Sequence, residues 1–402
     1  MTAPRRIAMV VMHTSPTAAP GTPDSGGLNV SVLNTALQLA LHDVEVDLLT
    51  RAVGAPGTTV LAPGVRLFDI AAGGRGRIDP DRLADVTDEF GEGVAARARS
   101  DRGYDLVHAH HWRSGVAALP VALELGLPFV QSFHSLAAME NRSRAAGQPT
   151  QPPLRLRSET YLAQQADAVV AASAAEVDSL LDSVGTTAGK VWVVPPGVDT
   201  ELFTPARAIS EGVVRGRLGI AAERPLVVVV GRVHPLKGQE LAVQTIAAIA
   251  GERPVLVIAG EPRRGAERHA ESLQQAIGSD IVFTGALSRE ELADLLAAAA
   301  LTLAPSQAET SGLVALESAA SGTPVLASLA FARAGVIEEG VSGVVLASQE
   351  PGEWARAVTA LLDDQILLGE LSASARLYAR DFSWAASAAA LLGVYASVLP
   401  NR

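Results

Sequence analysis

Short apolar runs alternate with amphipathic stretches along most of the chain. The runs have the length of buried strands, and the stretches between them place apolar residues at helical spacing, as at Val30, Leu33, Leu37 and Leu41. Near-continuous apolar strands separated by helices predict parallel sheets that are covered on both faces. The predicted strands are 7–12, 44–49, 106–109, 128–131, 168–171, 191–194, 226–230, 255–259, 281–284, 301–304 and 324–327.

A proline- and glycine-rich stretch at 195–205 interrupts this alternation and predicts a hinge. The sequence therefore predicts an α/β protein with two doubly wound domains of similar size, 1–197 and 198–383. The last helical stretch, 384–402, has no strand after it and is expected to cross back to the N-terminal domain. Ligands of such folds bind at the carboxyl ends of the strands, so the loops there are the candidate sites.

The loop after the predicted strand 226–230 reads GRVHPLKG, from Gly231 to Gly238. Lys237 in this loop is one of only two lysines in the chain, against thirty arginines. A compact ammonium on a long stem suits a single developing phosphate charge. A strand, a glycine turn and two cations before a helix predict a phosphate site. An ATPase P-loop is excluded because Leu236 and Gly238 replace the required glycine and hydroxyl residue.

Two glutamates, Glu309 and Glu317, flank a small turn that contains Gly312. If a helix begins near Gly312, both carboxylates and the amides at the helix N-terminus face one ligand. Hydroxyls at both ends of that ligand and a diphosphate in the middle describe a nucleotide sugar. Solvated glutamates at a helix end are the alternative, but the apolar flanks indicate partial burial and therefore partners.

The N-terminal half has a glycine turn, Gly26 and Gly27, and four histidines at the ends of two predicted strands. The histidines are His108, His110, His111 and His134. Roles in acid/base chemistry or hydroxyl binding are preferred over zinc, because no carboxylate lies nearby in the sequence. His108 is the one for which a structural role stays open. The stretch 79–81 resembles a metal-binding DxD motif but fits a helix N-cap better.

Composition narrows the function classes. The formal net charge is −11 and the pI about 5.3, so a nucleic-acid partner is not expected. There are no cysteines, which excludes a thiolate metal site and a cysteine nucleophile. No uninterrupted apolar stretch reaches about 18 residues, so integral membrane association is not expected and a cytoplasmic location is. The oligomeric state stays open, with a homodimer among the alternatives.

Taken together, the chain resembles the family 4 retaining glycosyltransferases of the GT-B fold, in which two Rossmann-like domains face a cleft. The resemblance rests on the loop 231–238 and on Glu309 and Glu317 followed by SGTPV at 321–325. Within the family, HTSP at 13–16, SGGLNV at 25–30, HHWRSG at 110–115 and PPLR at 152–155 look most like the actinobacterial inositol-phosphate N-acetylglucosaminyltransferases of mycothiol synthesis.

The resemblance implies a role for each matching residue and no metal or other cofactor. The donor would be a nucleotide sugar, with a UDP-sugar such as UDP-N-acetylglucosamine favoured and a GDP-sugar open. The implied catalytic residues are Arg232, Lys237, Glu309 and His134. The implied donor-binding residues are Gly26, Gly27, Gly231, Leu287, Ser311, Gly312, Leu313 and Glu317. The implied acceptor-binding residues are Asn29, His110, His111, Trp112, Ser135, Glu140 and Arg155.

The acceptor side departs from the family pattern. Glu140 stands where the family has a lysine, and a second family lysine aligns near Pro80. These changes favour a small polar, non-phosphorylated and cationic acceptor, such as an aminocyclitol or a betaine-type thiol of antibiotic biosynthesis. The alternative is an inositol-phosphate N-acetylglucosaminyltransferase in which Arg75 or Arg77 replaces the lost lysines. A GT-B sugar-nucleotide epimerase and a non-catalytic nucleotide-sugar binder also stay open.

Overall fold

The computed structural model describes residues 3–100, 102–144, 150–275 and 280–400. The chain forms two compact units. The first unit comprises Met1–Ala18, Leu28–Pro195 and Trp384–Arg402, and the second comprises Ala19–Gly27 and Pro196–Ser383. The stretch 79–81, which resembles a DxD motif, leads into the 3-10 helix Pro80–Val86. The structure does not describe the side chains of residues 80 and 81.

The described part of the first unit contains an eight-stranded sheet in the order β3-β4-β2-β1-β5-β6-β7-β8. Its strands are β1 Arg6–Val10, β2 Glu45–Arg51, β3 Gly57–Ala62, β4 Val65–Ile70, β5 Leu106–His110, β6 Phe129–Ser132, β7 Ala168–Ala171 and β8 Val191–Val193. Its helices are α1 Gly27–Ala40, α2 Thr87–Ala98, α3 Trp112–Leu125, α4 Ala137–Arg142, α5 Pro153–Gln165 and α6 Ala174–Ser179, with a last helix at the C-terminus.

The described part of the second unit contains a six-stranded sheet in the order β11-β10-β9-β12-β13-β14. Its strands are β9 Leu226–Val230, β10 Val255–Ala259, β11 Ile281–Gly285, β12 Leu301–Ala304, β13 Val325–Ser328 and β14 Gly343–Leu346. Its helices are α7 Glu211–Leu218, α8 Gln239–Ala248, α9 Glu267–Gln275, α10 Arg289–Ala298, α11 Leu313–Ala320, α12 Leu329–Arg333, α13 Pro351–Asp363 and α14 Gln365–Ala379.

Both sheets reverse their strand order beside the first strand of the unit. In the first unit β1 pairs with β2 on one side and β5 on the other, and in the second unit β9 pairs with β10 and β12. The right-handed crossovers on the two sides run in opposite directions, which leaves a crevice at the carboxyl ends of these strands. The residues that follow β1, β5, β9 and β12 are therefore the ones that a ligand can reach.

The predicted architecture of two parallel-sheet α/β layers is confirmed, and three strands were missed. The three missed strands, β3, β4 and β14, are only partly buried, and β3 is largely exposed. The unpredicted strand β3 adds an antiparallel pairing with β4 at the edge of the first sheet. Pro63 and Gly64 lie between these two strands and allow the chain to reverse within two residues.

The segment Ala19–Gly27 leaves the first unit after β1 and belongs to the second unit. The carbonyl oxygen of Gly21 accepts from the amide of Glu261 at 2.8 Å, and the Asp24 carboxylate pairs with Arg264 at 3.0 Å. The sequence assigned this segment to the N-terminal domain, because a loop between a strand and its next helix has no pattern that reveals what it contacts. Its glycine turn consequently lies beside the loops of the second unit.

The C-terminal helix α15, Trp384–Val398, belongs to the first unit. Leu391, Val394 and Tyr395 are buried against the side of the sheet formed by strands such as β1 and β2. Covering that face of a parallel sheet requires an apolar helix, and α15 carries no charged residue. Among the described helices, none combines the length and hydrophobicity needed to cross a bilayer.

Leu391→Ala should lower the free energy of unfolding by about 2–5 kcal/mol, because it leaves a cavity under α15. Urea unfolding measures the loss. Leu377→Ala is the matched control, since Leu377 is 61% exposed and its truncation should change stability by less than about 0.5 kcal/mol. Equal losses in the two variants would show that α15 does not stabilise the first unit.

Candidate active site

Two loops of the second unit meet at the carboxyl ends of β9 and β12. The first runs from Gly231 through the one-turn helix Pro235–Lys237, and the second runs from Pro305 to Gly312. Gly238 has a φ of 74°, and a Cβ there would collide with the carbonyl oxygen of Pro305. Only glycine allows the two loops to approach this closely. The predicted phosphate loop and the predicted carboxylate loop therefore form one site in this unit.

Lys237 and Glu309 join the two loops by an ion pair of 2.8 Å between Nζ and Oε2. The other carboxylate oxygen, Oε1, accepts from the backbone amides of Thr310, Ser311 and Gly312 at 3.1–3.4 Å. Burial raises the pKa of Glu309, but Lys237 and these amides outweigh burial and hold the pKa below its ordinary value. Glu309 is therefore a fixed anion that orients both the lysine and the turn before α11.

The amides of Ser311 and Gly312, which the sequence assigned to a ligand diphosphate, are occupied by Glu309 in this structure. Gly312 has a φ of 63°, and a Cβ there would collide with Val336, so the turn is built around this glycine. The helix α11 then begins at Leu313. Its first amides have no partner within the helix and are the ones placed to receive an anion.

Arg232 lies beside the glycine turn of the segment Ala19–Gly27. Its Nη1 donates to the carbonyl oxygen of Pro23 at 3.4 Å, and a Cβ at Gly26 would lie 3.4 Å from its Nε. A Cβ at Gly27 would lie 3.9 Å from Leu313 and 4.0 Å from the Ser311 hydroxyl. The structure thus brings together the predicted residues Gly26, Gly27, Gly231, Arg232, Lys237, Glu309, Ser311, Gly312 and Leu313, which we call the donor-side cluster.

Glu317 lies in the second turn of α11 and is 1% exposed. Its Oε1 pairs with Nη2 of Arg289 at 2.7 Å, and the Arg289 guanidinium lies over the Phe203 ring at 4.6 Å. Burial raises the pKa of Glu317, and Arg289 opposes that rise. Arg289 was not among the site residues predicted from the sequence. Leu287, two residues before it, is half-buried against the core of the second unit.

The first unit collects histidines at the carboxyl ends of β5 and β6. His110 Nδ1 and His134 Nε2 are 2.9 Å apart, and the His108 and His110 rings are 4.1 Å apart. His108 hydrogen-bonds through Nδ1 to the Tyr395 hydroxyl and through Nε2 to Ser132 Oγ, which supports the structural role that was left open. Burial lowers the pKa of His108 to about 3 and that of His134 to about 4. These imidazoles are therefore neutral at pH 7.

His111 adopts a backbone conformation that is almost restricted to glycine, with φ 75° and ψ 151°. Its ring lies 4.2 Å from the ring of His13 and 5.9 Å from that of Trp112. Among the described residues, the buried His110 Nε2 and His111 Nδ1 lack a hydrogen-bond partner. Buried polar atoms nearly always form a hydrogen bond, so these two nitrogens are positions where a ligand or a water molecule could bind. No group of three or more acidic or histidine side chains in the described part of the chain is arranged to hold a metal.

Arg155 on α5 lies between two carboxylates. Its Nε donates to Glu159 at 2.7 Å, and its Nη1 donates to Glu140 at 3.2 Å and to Gln151 at 3.1 Å. Its Nη2 donates to the carbonyl and hydroxyl oxygens of Ser135. All three guanidinium nitrogens therefore have partners within the first unit. The Glu140 carboxylate therefore faces Arg155 within the first unit.

The other predicted acceptor residues are also buried. Asn29 donates through Nδ2 to Thr14 Oγ1 at 2.9 Å and to the Ser15 carbonyl oxygen at 2.6 Å, so it holds the loop after β1. Trp112 is 8% exposed, with the Arg113 guanidinium 4.8 Å from its ring centre. Arg75 and Arg77 are exposed in the loop after β4.

Comparison with known proteins identifies the family. Residues 25–202 match the family described as Glycosyltransferase Family 4, and residues 213–381 match Glycosyl transferases group 1. A D-inositol 3-phosphate glycosyltransferase of Nocardiopsis dassonvillei is 37% identical over 414 residues, covering 99% of this chain and 96% of that protein. The chain belongs to the family 4 glycosyltransferases. Because the members of this family are glycosyltransferases, a glycosyltransferase replaces the non-catalytic nucleotide-sugar binder as the interpretation of this chain. The family also makes the sugar-nucleotide epimerase the less favoured alternative.

Two further relatives support the same assignment. A D-inositol 3-phosphate glycosyltransferase of Mycolicibacterium smegmatis is 35% identical and covers 99% of this chain and 92% of that protein. The solved structure of a sucrose-phosphate synthase from Thermosynechococcus elongatus superposes with a TM-score of 0.89 at 27% identity, covering 98% of each chain. The resemblance and the GT-B fold that the sequence predicted are confirmed.

Lys237→Ala should lower the free energy of unfolding by about 1–3 kcal/mol at pH 7. The expected loss is smaller than for a fully buried ion pair, because the Lys237 side chain is 35% exposed and solvent screens its charge. Without the lysine, burial raises the pKa of Glu309. Above that pKa the variant keeps an unpaired buried anion, whereas protonation at lower pH removes the penalty. The destabilisation, measured by chemical unfolding at a series of pH values, should therefore shrink from pH 7 toward pH 4.

Lys190→Ala is the control, because Lys190 is the other lysine of the chain and donates only to the carbonyl oxygens of Gln164 and Ala166 among the contacts described. Its effect should not depend on pH in this range. A Lys237→Ala penalty that stayed constant with pH would mean that the lysine does not control the charge of Glu309.

Proposed function

We propose that this glycosyltransferase moves a sugar from a nucleoside-diphosphate sugar to an inositol phosphate, with retention at the anomeric carbon. The observation that carries the donor assignment is the donor-side cluster, in which Arg232 and Lys237 stand beside a glycine turn and the first amides of α11. The acceptor assignment is supported by full-length similarity to proteins named D-inositol 3-phosphate glycosyltransferase. UDP-N-acetylglucosamine is the proposed donor, as the family resemblance favours.

The donor-side cluster suits a departing diphosphate. Negative charge grows on the leaving oxygen in the transition state, and preorganised cations with helix amides stabilise it most when they are fixed in advance. Lys237 is fixed by Glu309, and the glycine turn allows the backbone to approach the phosphates near Arg232. We assign leaving-group stabilisation to Arg232, Lys237 and the amides of Leu313 and Val314. Glu309 Oε2, which accepts only from Lys237 among the described contacts, then offers its second lone pair to a hydroxyl of the sugar.

Retention in this proposal proceeds by attack on the face that the leaving group departs from. Glu309 is the carboxylate of the donor-side cluster, and its two oxygens are held by Lys237 and by three backbone amides. A carboxylate held in this way is a poor nucleophile for the anomeric carbon, because attack would break the interactions that keep it ionised. An ion-pair-like transition state stabilised by the diphosphate needs no such nucleophile.

In the first unit, the neutral histidines suit contacts with acceptor hydroxyls. His134 is neutral at pH 7 because burial lowers its pKa to about 4, and its Nε2 is oriented by His110. The unpartnered Nε2 of His110 and Nδ1 of His111 are candidate contacts for hydroxyl groups. We assign the acceptor ring to these histidines and to Trp112.

A second candidate acceptor is favoured by the surroundings of Arg155. One guanidinium faces the two carboxylates of Glu140 and Glu159, and each guanidinium nitrogen already has a partner. An acceptor phosphate could reach Arg155 only by displacing Glu140 or Gln151. A polar acceptor without phosphate, including a cationic aminocyclitol, meets no such competition. This observation keeps a non-phosphorylated acceptor as the alternative to inositol phosphate.

The two acceptors are distinguished by comparing kcat/KM for inositol 3-phosphate, myo-inositol and an aminocyclitol, with UDP-N-acetylglucosamine as donor. Preference for inositol 3-phosphate is the expected result. If Glu140 competes with the phosphate, Glu140→Gln should raise kcat/KM for inositol 3-phosphate several-fold, since about 1 kcal/mol of competing charge is removed. Glu124→Gln, at an exposed surface pair with Arg99, is the control.

Preference for the aminocyclitol, lost in Glu140→Gln, would replace the inositol phosphate assignment by the second candidate. Turnover of the donor without transfer to any of the three acceptors would contradict both. The anomeric configuration of the product, read by NMR, tests retention in the same samples.

Transfer should continue in EDTA, because the diphosphate charge is neutralised by side chains and helix amides. Arg232→Ala should lower kcat by about 100-fold or more, since it acts on charge that grows in the transition state. Steady-state kinetics with and without EDTA measure both effects. Loss of activity in EDTA that Mg²⁺ restores would assign the leaving-group charge to a metal instead.

A further inference from the structure

Arg289 stands at a position where a cation is unfavourable. It is the first residue of α10, next to the N-cap Ser288, and Glu291 completes a capping box at this end. The partial positive charge of a helix N-terminus repels a cation and favours the acidic residues Glu290 and Glu291 that follow. An arginine at the first position therefore needs a compensating interaction. The compensation is the buried carboxylate of Glu317 at 2.7 Å.

The Arg289 guanidinium is held from two directions. The guanidinium carbon lies 4.6 Å from the centre of the fully buried Phe203 ring, while Nη2 forms an ion pair with Oε1 of Glu317 at 2.7 Å. A planar guanidinium can stack on an aromatic ring and donate sideways at the same time, whereas the ammonium of lysine cannot. The Arg289 side chain is 23% exposed and that of Glu317 is 2% exposed, so the pair is largely shielded from solvent screening. Glu317 is consequently held in one orientation.

The Glu317 carboxylate keeps acceptor capacity for a ligand. An ionised carboxylate accepts about four hydrogen bonds, and the ion pair engages Oε1. Glu317 lies about 7 Å along α11 from Gly312, given a rise of about 1.5 Å per residue. The diphosphate is assigned to the N-terminus of this helix, and in a nucleoside diphosphate the ribose is the group next to the diphosphate. The helix therefore places a fixed carboxylate where ribose hydroxyls follow the phosphates.

We propose that Arg289 is a positioning residue that holds the Glu317 carboxylate in the orientation that meets the ribose hydroxyls of the donor nucleotide, so that selection of a ribonucleotide depends on Arg289. This inference rests on the proposed function, because it assumes a nucleoside diphosphate in the second unit. It goes beyond the family resemblance, which assigned no role to this arginine. Arg289 also begins the helix α10 directly after the loop that contains Leu287, an implied donor-binding residue.

A purely structural ion pair makes a different prediction. If Arg289 only neutralises a buried carboxylate, its removal lowers stability but affects ribose and deoxyribose ligands equally. If it orients Glu317 toward the ribose, its removal weakens binding of the ribonucleotide selectively. The ratio of dissociation constants for a 2′-deoxynucleoside diphosphate and its ribonucleotide is therefore the decisive quantity.

The experiment is calorimetric titration of the full chain with UDP, GDP and ADP, followed by the 2′-deoxy form of whichever binds most tightly. In the wild-type protein the deoxy form should bind about 10- to 100-fold more weakly, as expected for loss of a hydrogen bond to a charged acceptor. Arg289→Gln and Glu317→Gln should each reduce this ratio to below about threefold. The double variant should reduce it no further, because both residues act through one carboxylate.

Three controls separate positioning from folding. Inorganic pyrophosphate should bind the wild type and Arg289→Gln equally, since it reports on Arg232, Lys237 and the first amides of α11 and not on Glu317. Arg217→Gln is the matched surface variant, because Arg217 pairs with Glu291 of the same helix at 2.7 Å and is 56% exposed, and it should leave the ratio unchanged. Arg289→Lys keeps the charge without the planar geometry and should not restore the ratio.

The outcomes distinguish failure of the inference from failure of the proposed function. If none of the three nucleoside diphosphates binds, the proposed function is wrong. If they bind but the wild-type ratio is near one, Glu317 does not contact the ribose 2′-hydroxyl and the inference fails. An unchanged high ratio in Arg289→Gln would assign Arg289 a structural role only. If Arg289→Gln loses pyrophosphate binding through misfolding, Arg289→Lys is judged by the same ratio, and wild-type selectivity there overturns the inference.

Discussion

The ion pair between Lys237 and Glu309 is the interaction on which the donor-side cluster depends. The pair connects the loops after β9 and β12, which flank the reversal of strand order in the second unit. Glu309 also accepts from three amides of the turn that precedes α11. The position of the lysine, the shape of the turn and the start of the helix are therefore coupled through one carboxylate. Removing either charge would leave the other uncompensated in a partly buried site.

Internal neutralisation recurs at two further buried sites near strand ends. Glu317 is paired with Arg289, and Arg155 is paired with Glu140 and Glu159. A charged ligand can bind at such a site by replacing the internal ion-pair partner. The binding free energy is then the difference between the interaction that is formed and the one that is broken. A diphosphate adds to Lys237 without needing to displace Glu309, because an ammonium has three donors. A phosphate at Arg155 has no comparable room, since each nitrogen of that guanidinium is engaged.

The sequence predicted the parts of the fold that follow from local patterns. Buried parallel strands read as continuous apolar runs, and 168–171, 226–230, 255–259 and 301–304 were predicted at the bounds that the structure has. The edge strand β3 is exposed along most of its length and carries no such run, which is why it was missed. The loop 231–238 and Glu309 could be placed at strand ends because each follows a continuous apolar run.

Contacts between distant segments could not be predicted in this way. The pairing of Arg289 with Glu317 joins the beginnings of two helices, and that of Asp24 with Arg264 joins residues 240 positions apart. No periodicity in the sequence links such residues, and any of the thirty arginines could be the ion-pair partner of a given carboxylate. The one local signal at Arg289 is its position at the first turn of α10, where acidic residues are favoured. The pairing of Glu140 with Arg155 could not be predicted for the same reason, because the two residues lie on different helices.

The conformation of His111 indicates what the first unit needs at the end of β5. A residue with a Cβ in this region of φ and ψ costs of the order of 1–3 kcal/mol, and glycine would adopt it without strain. The conformation is enforced because the His111 amide donates to the Ser132 carbonyl oxygen at 2.7 Å while α3 begins at the next residue. The chain nevertheless carries an imidazole here, stacked against His13 with a buried Nδ1. Strain of this kind is retained where the side chain itself is required, which points to the ring of His111 as a contact for the acceptor.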